Sequence, residues 1–463
     1  MTATAAATTT TGPGTLSVLH VAQPTDGGVA RYVVDAAADQ VARGWTVTVA
    51  CPDTGWLAGE LRRRGIAHVT WNARRAPGPE VAGETARLRT VVDDVAPDLV
   101  HLHSAKAGLA GRLALRGTLP TLFQPHGWSW LAATGVVAAL SRRWEKIATR
   151  WADGIVCVGE GEAAHAEVAG LVGALRVVRN GVDLDRFRPA DLGAQRAARA
   201  ELGLSPTAPL AVCPARWARQ KGQDVLLAAW AAVRAQCPDA QLALVGGDAP
   251  EDLELPEGVR LVGAVADVLP WLAAADVVVQ PAGEGGGECV GVLSRHGGAD
   301  ALVDDLGQAG DRGDDGGASD GHRLEQRQRQ ALPARRQHDD VGGGEPRLDI
   351  GNGADVVVLP SRWEGLSLAL LEAMAVGRST VVTAIPGLAE VVDERVGATV
   401  PAEDADALAA ALTRRLHDPA LTLAEGCAAA AKATAELDAR TTFDRLTELT
   451  AATAARARRA VTR

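Results

Sequence analysis

Residues 354–377 read ADVVVLPSRWEGLSLALLEAMAVG. ADVVV is an apolar run of strand length, LPSRWEG a polar loop, and LSLALLEAMAVG a stretch with helical apolar spacing before a glycine. Strand, loop and helix in that order form the repeating unit of a parallel sheet covered by helices. The five residues ADVVV also stand at 275–279, inside LAAADVVVQPAGEGGG (272–287). One strand slot therefore has two candidate occupants.

The stretch between the copies is rich in Gly, Asp, Arg and Gln and has neither a strand nor a helix period, so by composition it reads as disordered. It also has a specific origin. Reading 280–342 forward against 416–354 backward, every residue can be encoded by the reverse complement of a codon for its partner. Single-codon residues test this hardest: Met374 requires His and meets His322, and Trp363 can meet Pro and does so at Pro333. The pairing gives Asp311 for Ile385, Gln337 for Leu359 and Arg336 for Pro360, and stops at Gly343 against Gly353. Residues 280–353 are thus an insert derived from the antisense of the following segment, and their apparent motifs carry no chemistry. With 280–358 removed, LPWLAAADVVV runs directly into LPSRWEGLSLALLEAMAVG. Closing a longer loop costs only about 0.6 kcal/mol per doubling of length, so continuity with the following loop and helix predicts that the second copy is the core strand.

Outward from this unit the same alternation continues. TLSVLHVAQ, WTVTVACP, PDLVHLHS, LPTLFQPHG and ADGIVCVG form one strand series, and APLAVCPARW, AQLALVGG and VRLVGAV a second. The chain is read as α/β, with two doubly wound Rossmann-like domains facing a cleft, where open parallel sheets bind ligands. The expected divisions are a disordered tail 1–14, an N-terminal Rossmann-like domain 15–175 and a C-terminal Rossmann-like domain 176–440 that holds the insert. The last stretch, 441–463, reads as a helix with the option of packing back on the N-terminal domain. At 463 residues and 47% hydrophobic composition the chain can bury more than one core. A formal charge of -10 argues against a whole-surface nucleic-acid partner. Six cysteines without a CxxC pair indicate neither a zinc site nor a disulfide framework, and a reducing cytoplasm is the simplest compartment.

TDGGVARYV (25–33), QPHGW (124–128), VVRNGVDLDRFRP (177–189), ARWARQKGQDVLLAAW (215–230) and EGLSLALLE (364–372) occur in one order along the chain. In these segments the chain resembles the retaining glycosyltransferases of the large family numbered four, which have the GT-B fold; the resemblance covers about residues 16–449 apart from the insert. It implies a nucleotide-diphosphate sugar donor, a glycan, lipid-linked or small-molecule acceptor, retention at the anomeric carbon, and no metal or other cofactor. Arg216 and Lys221 match the pair that such enzymes place on the donor diphosphate. Glu364 and Glu372 have the family's E-x7-E spacing, with Glu364 near the transferred sugar and Glu372 on the ribose. Gly365, Leu366 and Ser367 are expected to open a helix whose N–H groups hold phosphate oxygens. The resemblance places His126 close to the donor sugar, whereas His101 and His103 read as packed, hydrogen-bonded histidines. Gly27 and Gly28 either let a backbone approach donor or acceptor, or only make a turn. Asp183 and Asp185 read as structural.

ALSRRWEKIATRW (139–151) sets Arg142, Arg143, Lys146 and Arg150 beside Trp144 and Trp151. Such a helix can lie on an anionic membrane at the inner face of the cell membrane, or pack on the core with a solvated basic face. A GT-B-type epimerase or phosphorylase, and a non-catalytic sugar-nucleotide binder with a cleft disrupted by the insert, are the alternative functions.

Overall fold

The computed structural model describes residues 15–76, 78–171, 173–187, 197, 199–205, 208–214, 217–245, 250, 253–263 and 356–461. The expected tail 1–14, the insert 280–353, the first ADVVV copy and Arg216 lie outside the described residues. The first half runs β1 (Ser17–Ala22), α1 (Gly28–Ala42), β2 (Thr46–Cys51), α2 (Trp56–Arg63), β3 (Ala67–Thr70), α3 (Val81–Val95), β4 (Leu99–His103), α4 (Ser104–Leu115), β5 (Thr121–Gln124), α5 (Gly135–Ala148), β6 (Gly154–Cys157), α6 (Glu160–Val168) and β7 (Leu175–Val177). The second runs β8 (Leu210–Pro214), α7 (Gln223–Gln236), β9 (Gln241–Val245), β10 (Val259–Gly263), β11 (Val356–Leu359), α8 (Leu368–Ala375), β12 (Ser379–Thr383), α9 (Pro386–Ala389), β13 (Gly397–Val400), α10 (Ala405–His417), α11 (Pro419–Glu436) and α12 (Ala439–Val461).

Among the described residues the strands make two parallel sheets, ordered β3-β2-β1-β4-β5-β6-β7 and β10-β9-β8-β11-β12-β13. Each reverses its winding once, between β1 and β4 and between β8 and β11, and ligand crevices form at the carboxyl ends of such switch points. The described part of the second ADVVV copy occupies the contested slot. Val357 is in register with Val212 of β8, and Val356 to Leu359 pair with Ser379 to Val382 of β12.

The cores follow from sequence periodicity. In α1, Ala30, Val33, Val34 and Ala37 face a cluster with Val47, Val49, Leu57 and Leu61, while Tyr32, Ala36 and Gln40 recur four residues apart on another buried face. The second sheet packs Val356, Val358 and Val381 against Trp230, Leu226 and Leu412. The chain then returns: α12 sets Leu446 and Ala454, with Phe443 beside them, against Val18, Tyr32, Leu99 and Leu122 of the first half. Arg43 reaches Asp444 at 2.6 Å, an exposed pair that adds little to this apolar seam.

The orientation of α5 is set by one buried ion pair. Arg112 of α4 donates to Glu145 of α5 (Nη2 to Oε1, 3.0 Å) and to Gly108 O (2.7 Å), and its guanidinium stacks 3.9 Å from the Phe123 ring centre. The two side chains are 0% and 2% exposed. Glu145, Ala138 and Ala148 are therefore inside, which turns Val136, Val137 and Leu140 to solvent. Glu145→Ala strands a buried guanidinium and should cost about 3–5 kcal/mol in chemical denaturation, whereas replacing both members with apolar residues should recover most of the loss. Equal losses in the single and double variants would show that the pair itself carries the stability.

Candidate active site

The β8 and β11 loops meet at the carboxyl edge of the second sheet. Lys221 Nζ lies 2.6 Å from Glu364 Oε1, and Ser361 Oγ donates to the same oxygen at 3.1 Å. Gln220 Nε2 donates to Trp363 O at 3.1 Å. Arg362 ties the loops together through Asp224 (2.8 and 2.7 Å), Glu403 and Arg219 O. The side chains of Lys221 and Glu364 keep 25% and 11% exposure, so a ligand can reach both.

The helix after Glu364 opens at Leu368, with Ser367 as its extended N-cap, later than the expected opening at Gly365 to Ser367. The reason is local: Ser367 is at φ -71 and ψ 121, and Gly365 and Leu366 remain in the loop. That loop is pressed against the first half. A Cβ on Gly365 would come within 2.9 Å of Val158 Cγ2, and Asn180 Nδ2 donates to Leu366 O at 2.7 Å. Glu372 is buried in α8 and its Oε1 meets Arg31 Nη1 of α1 at 3.0 Å. Gly27 is the N-cap of α1 at φ 80, which a side chain would strain; a Cβ on Gly28 would lie 3.6 Å from Leu368. The amino ends of α1 and α8 thus adjoin.

His126 follows β5 in a left-handed conformation, φ 52, unusual for a residue with a side chain. Its Nε2 lies 3.0 Å from His103 Nδ1, His103 Nε2 lies 2.9 Å from His20 Nδ1, and His20 Nε2 lies 2.8 Å from Gln40 Oε1. His103 is a packed, hydrogen-bonded histidine as read. His101 is equally buried, with the Gln124 side chain as its polar neighbour. His20, His101 and His103 hold nitrogens within 4.8 Å of one another, a spacing that metal ligands adopt, although two of the rings already bond each other. Burial pushes His20 down to about 4, His126 to about 3, and His101 and His103 well below the ordinary value.

Glu162 clamps the His126 loop by accepting from Gly127 N and, at 2.8 Å, Val158 N. Across the domain boundary Glu390 accepts from Gly161 N at 2.7 Å. Asp183 is structural, since its Oδ1 receives the N–H groups of Asp185 and Arg186. The structure therefore groups Lys221 with Glu364, and Glu372, Gly28, Gly365 and His126 along the same interdomain seam. Arg31, Gln40, Glu162 and Asn180 escaped the sequence reading. Arg31 sits within TDGGVARYV and Asn180 within VVRNGVDLDRFRP, which was the one available signal.

Two doubly wound sheets meeting at their switch points are the GT-B architecture. Residues 26–186 match the family model Glycosyltransferase Family 4, and residues 208–293 with 316–418 match Glycosyl transferases group 1; the chain carries both domains. It is 28% identical over 278 residues to the GDP-mannose-dependent monoacylated alpha-(1-6)-phosphatidylinositol monomannoside mannosyltransferase of Corynebacterium glutamicum, covering 58% of this chain and 54% of the relative. It is 30% identical over 263 residues to the D-inositol 3-phosphate glycosyltransferase of Streptomyces avermitilis, covering 56% and 42%. The chain spans about half the length of the curated relatives it matches. Among solved structures, Anabaena HepE in complex with UDP-glucose superposes with a TM-score of 0.67 at 18% identity, covering 94% of this chain and all of that one. Sucrose-phosphate synthase from Thermosynechococcus elongatus gives 0.65 at 20%, covering 93% and 97%.

Glu162 supplies a pH signature. Burial, with Glu390 adding to it, raises its carboxyl from 4.5 to about 7. Between those values the folded state keeps a proton that the unfolded state has released, so stability falls as pH rises through this window and is level above it. The drop should be on the order of 3 kcal/mol. Thermal midpoints measured across the window should decline in the native protein and lose that slope in Glu162→Gln. An unchanged slope in the variant would assign the titration to another group.

Proposed function

We propose that the protein is a retaining glycosyltransferase that moves a sugar from a nucleotide-diphosphate sugar to a glycan, lipid-linked or small-molecule acceptor. The observation that carries this reading is the meeting of Lys221, Glu364 and the α8 amino end at the switch point of the second sheet. Departure of a nucleoside diphosphate leaves negative charge on phosphate oxygens. A lysine and the first-turn N–H groups of a helix can stabilise that charge, so no metal is assigned a part. Arg216 is proposed beside Lys221 on the family pattern. With donor bound, Lys221 exchanges Glu364 for phosphate, and the released carboxylate lies near the transferred sugar.

In the reaction the anomeric carbon–phosphate oxygen bond breaks and a bond to the acceptor oxygen forms on the same face. The acceptor's proton passes to the departing phosphate. His126 lies at the sugar end of the seam, and Glu372 is assigned to ribose hydroxyls in place of Arg31. Gly27 and Gly28 leave room for the donor or acceptor beside α1. One relative is a GDP-mannose-dependent enzyme and one structural neighbour is a UDP-glucose complex, so the base is left open.

On the acceptor side, α5 exposes Val136 (73%), Val137 (65%), Leu140 (60%) and Ile147 (38%), flanked by exposed Arg142, Arg143, Lys146 and Arg150. Apolar residues beside cations suit the interface of an anionic bilayer. Among the described residues no helix is long and apolar enough to cross a membrane. In this reading the enzyme works in the cytoplasm, in peripheral contact with the inner face of the cell membrane.

Lys221→Ala should weaken nucleoside-diphosphate binding at least tenfold, about 1.4 kcal/mol by calorimetry. Glu364→Gln should lower kcat about a hundredfold while changing donor affinity far less; equal loss in both would make Glu364 a binding residue. With the native protein on phosphatidylglycerol vesicles, Leu140→Asp or reversal of Arg142, Arg143 and Lys146 to Glu should abolish sedimentation. Native protein that stays in the supernatant would end the membrane reading.

A further inference from the structure

The hydrogen bonds from Gln40 to His126 form one unbranched chain: Gln40 Oε1, His20 Nε2 and Nδ1, His103 Nε2 and Nδ1, His126 Nε2. Gln40, His20 and His103 are 1%, 0% and 0% exposed, and His126 is the one member that is not fully buried. The residues come from α1, β1, β4 and the loop after β5. Parallel register aligns His20 with His101 and His103 with Gln124, so the chain crosses neighbouring strands of the first sheet and ends at the loop after β5.

A neutral imidazole donates at one nitrogen and accepts at the other. Burial keeps these rings neutral. The carbonyl oxygen of Gln40 has no proton to give, so His20 carries its hydrogen on Nε2 and its Nδ1 is bare. His103 must then donate from Nε2, which leaves its Nδ1 bare, and His126 must donate from Nε2. Turning the Gln40 amide over would reverse all three links together. Intermediate settings leave a buried link with two protons or none, which strands a polar group away from water.

We propose that Gln40 is a positioning residue that sets the tautomer of His126 through His20 and His103, presenting His126 Nδ1 as a bare acceptor for a hydroxyl of the sugar. The ligand class rests on the function proposed above; the tautomer does not. A remote buried amide thereby decides whether the site offers a lone pair or a proton at that atom. It also explains the left-handed backbone at His126, which trades strain for a ring held at the end of the chain.

The test is imidazole nitrogen NMR on the whole protein labelled at histidine, with His126 assigned by the signal lost in His126→Gln. In the native protein Nε2 of His126 should be protonated and Nδ1 not; protonation on Nδ1 would overturn the proposal. Gln40→Leu should convert His126 to a tautomer mixture and lower kcat about tenfold with little change in donor KM. Retention of the native tautomer in Gln40→Leu would overturn it as well. If that variant does not fold, His103→Phe, which cuts the chain in its middle, must give the same mixture. Lack of turnover with every sugar nucleotide would defeat the proposed reaction and leave these tautomer readings standing.

Discussion

The Lys221–Glu364 contact exists because β11 lies between β8 and β12. A parallel strand delivers its following loop to the carboxyl edge of its sheet, and neighbouring strands deliver neighbouring loops. β8 leads to Lys221 and β11 leads to Glu364, so a single register, Val357 opposite Val212, sets the 2.6 Å approach. Arg362 then holds the loops with two carboxylates and a carbonyl. The doubled ADVVV matters for this reason. A strand taken from the first copy would leave the sheet filled and the Glu364 loop without its anchor.

The seam between the halves is made with few contacts of different kinds. The bare face of Gly365 fits the loop against Val158 by shape, while Asn180 on Leu366 O, Glu372 with Arg31 and Glu390 with Gly161 hold the seam by hydrogen bonds and charge. The Arg31–Glu372 pair is 18% and 5% exposed at the side chains, so its charges have given up much of their hydration. Such a pair gains little net stability over apolar packing, and its geometry is more informative than its energy. It aims Glu372 at the amino end of α1, beside Gly27 and Gly28. α12 limits how far the halves can part, because it begins in the second half and buries Leu446 and Ala454 in the first.

The central strands were legible because strands buried on both faces read as unbroken apolar runs: β1, β2, β4, β5 and β6 all stand in the first series. β3 and β7 do not, and they are the two edges of that sheet. Edge strands are half exposed and short, and AHVT or LRV has no apolar run to detect. At the site, Lys221 and Glu364 were legible as motif residues close to turns. Arg31, Gln40 and Glu162 were not, since each acquires its partner only through the register of separate strands and helices. Gln40 in particular lies among alanines in α1, and its partner His20 lies on β1 before it.

Gln40 bonds into a layer of histidines in the most buried part of the first sheet, where an apolar side chain would be the stable choice. Three histidines at 0% exposure are a cost that packing does not require. Val18, Leu99, Leu122 and Val156 pack into one apolar cluster across β1, β4, β5 and β6, and show that these strands can be filled with aliphatic residues. The buried histidines stand on β1 and β4, the two strands that flank the switch point, with Gln124 of β5 beside them. Stability is given up beside the switch point, where parallel sheets bind ligands, and the concession runs inward only as far as Gln40.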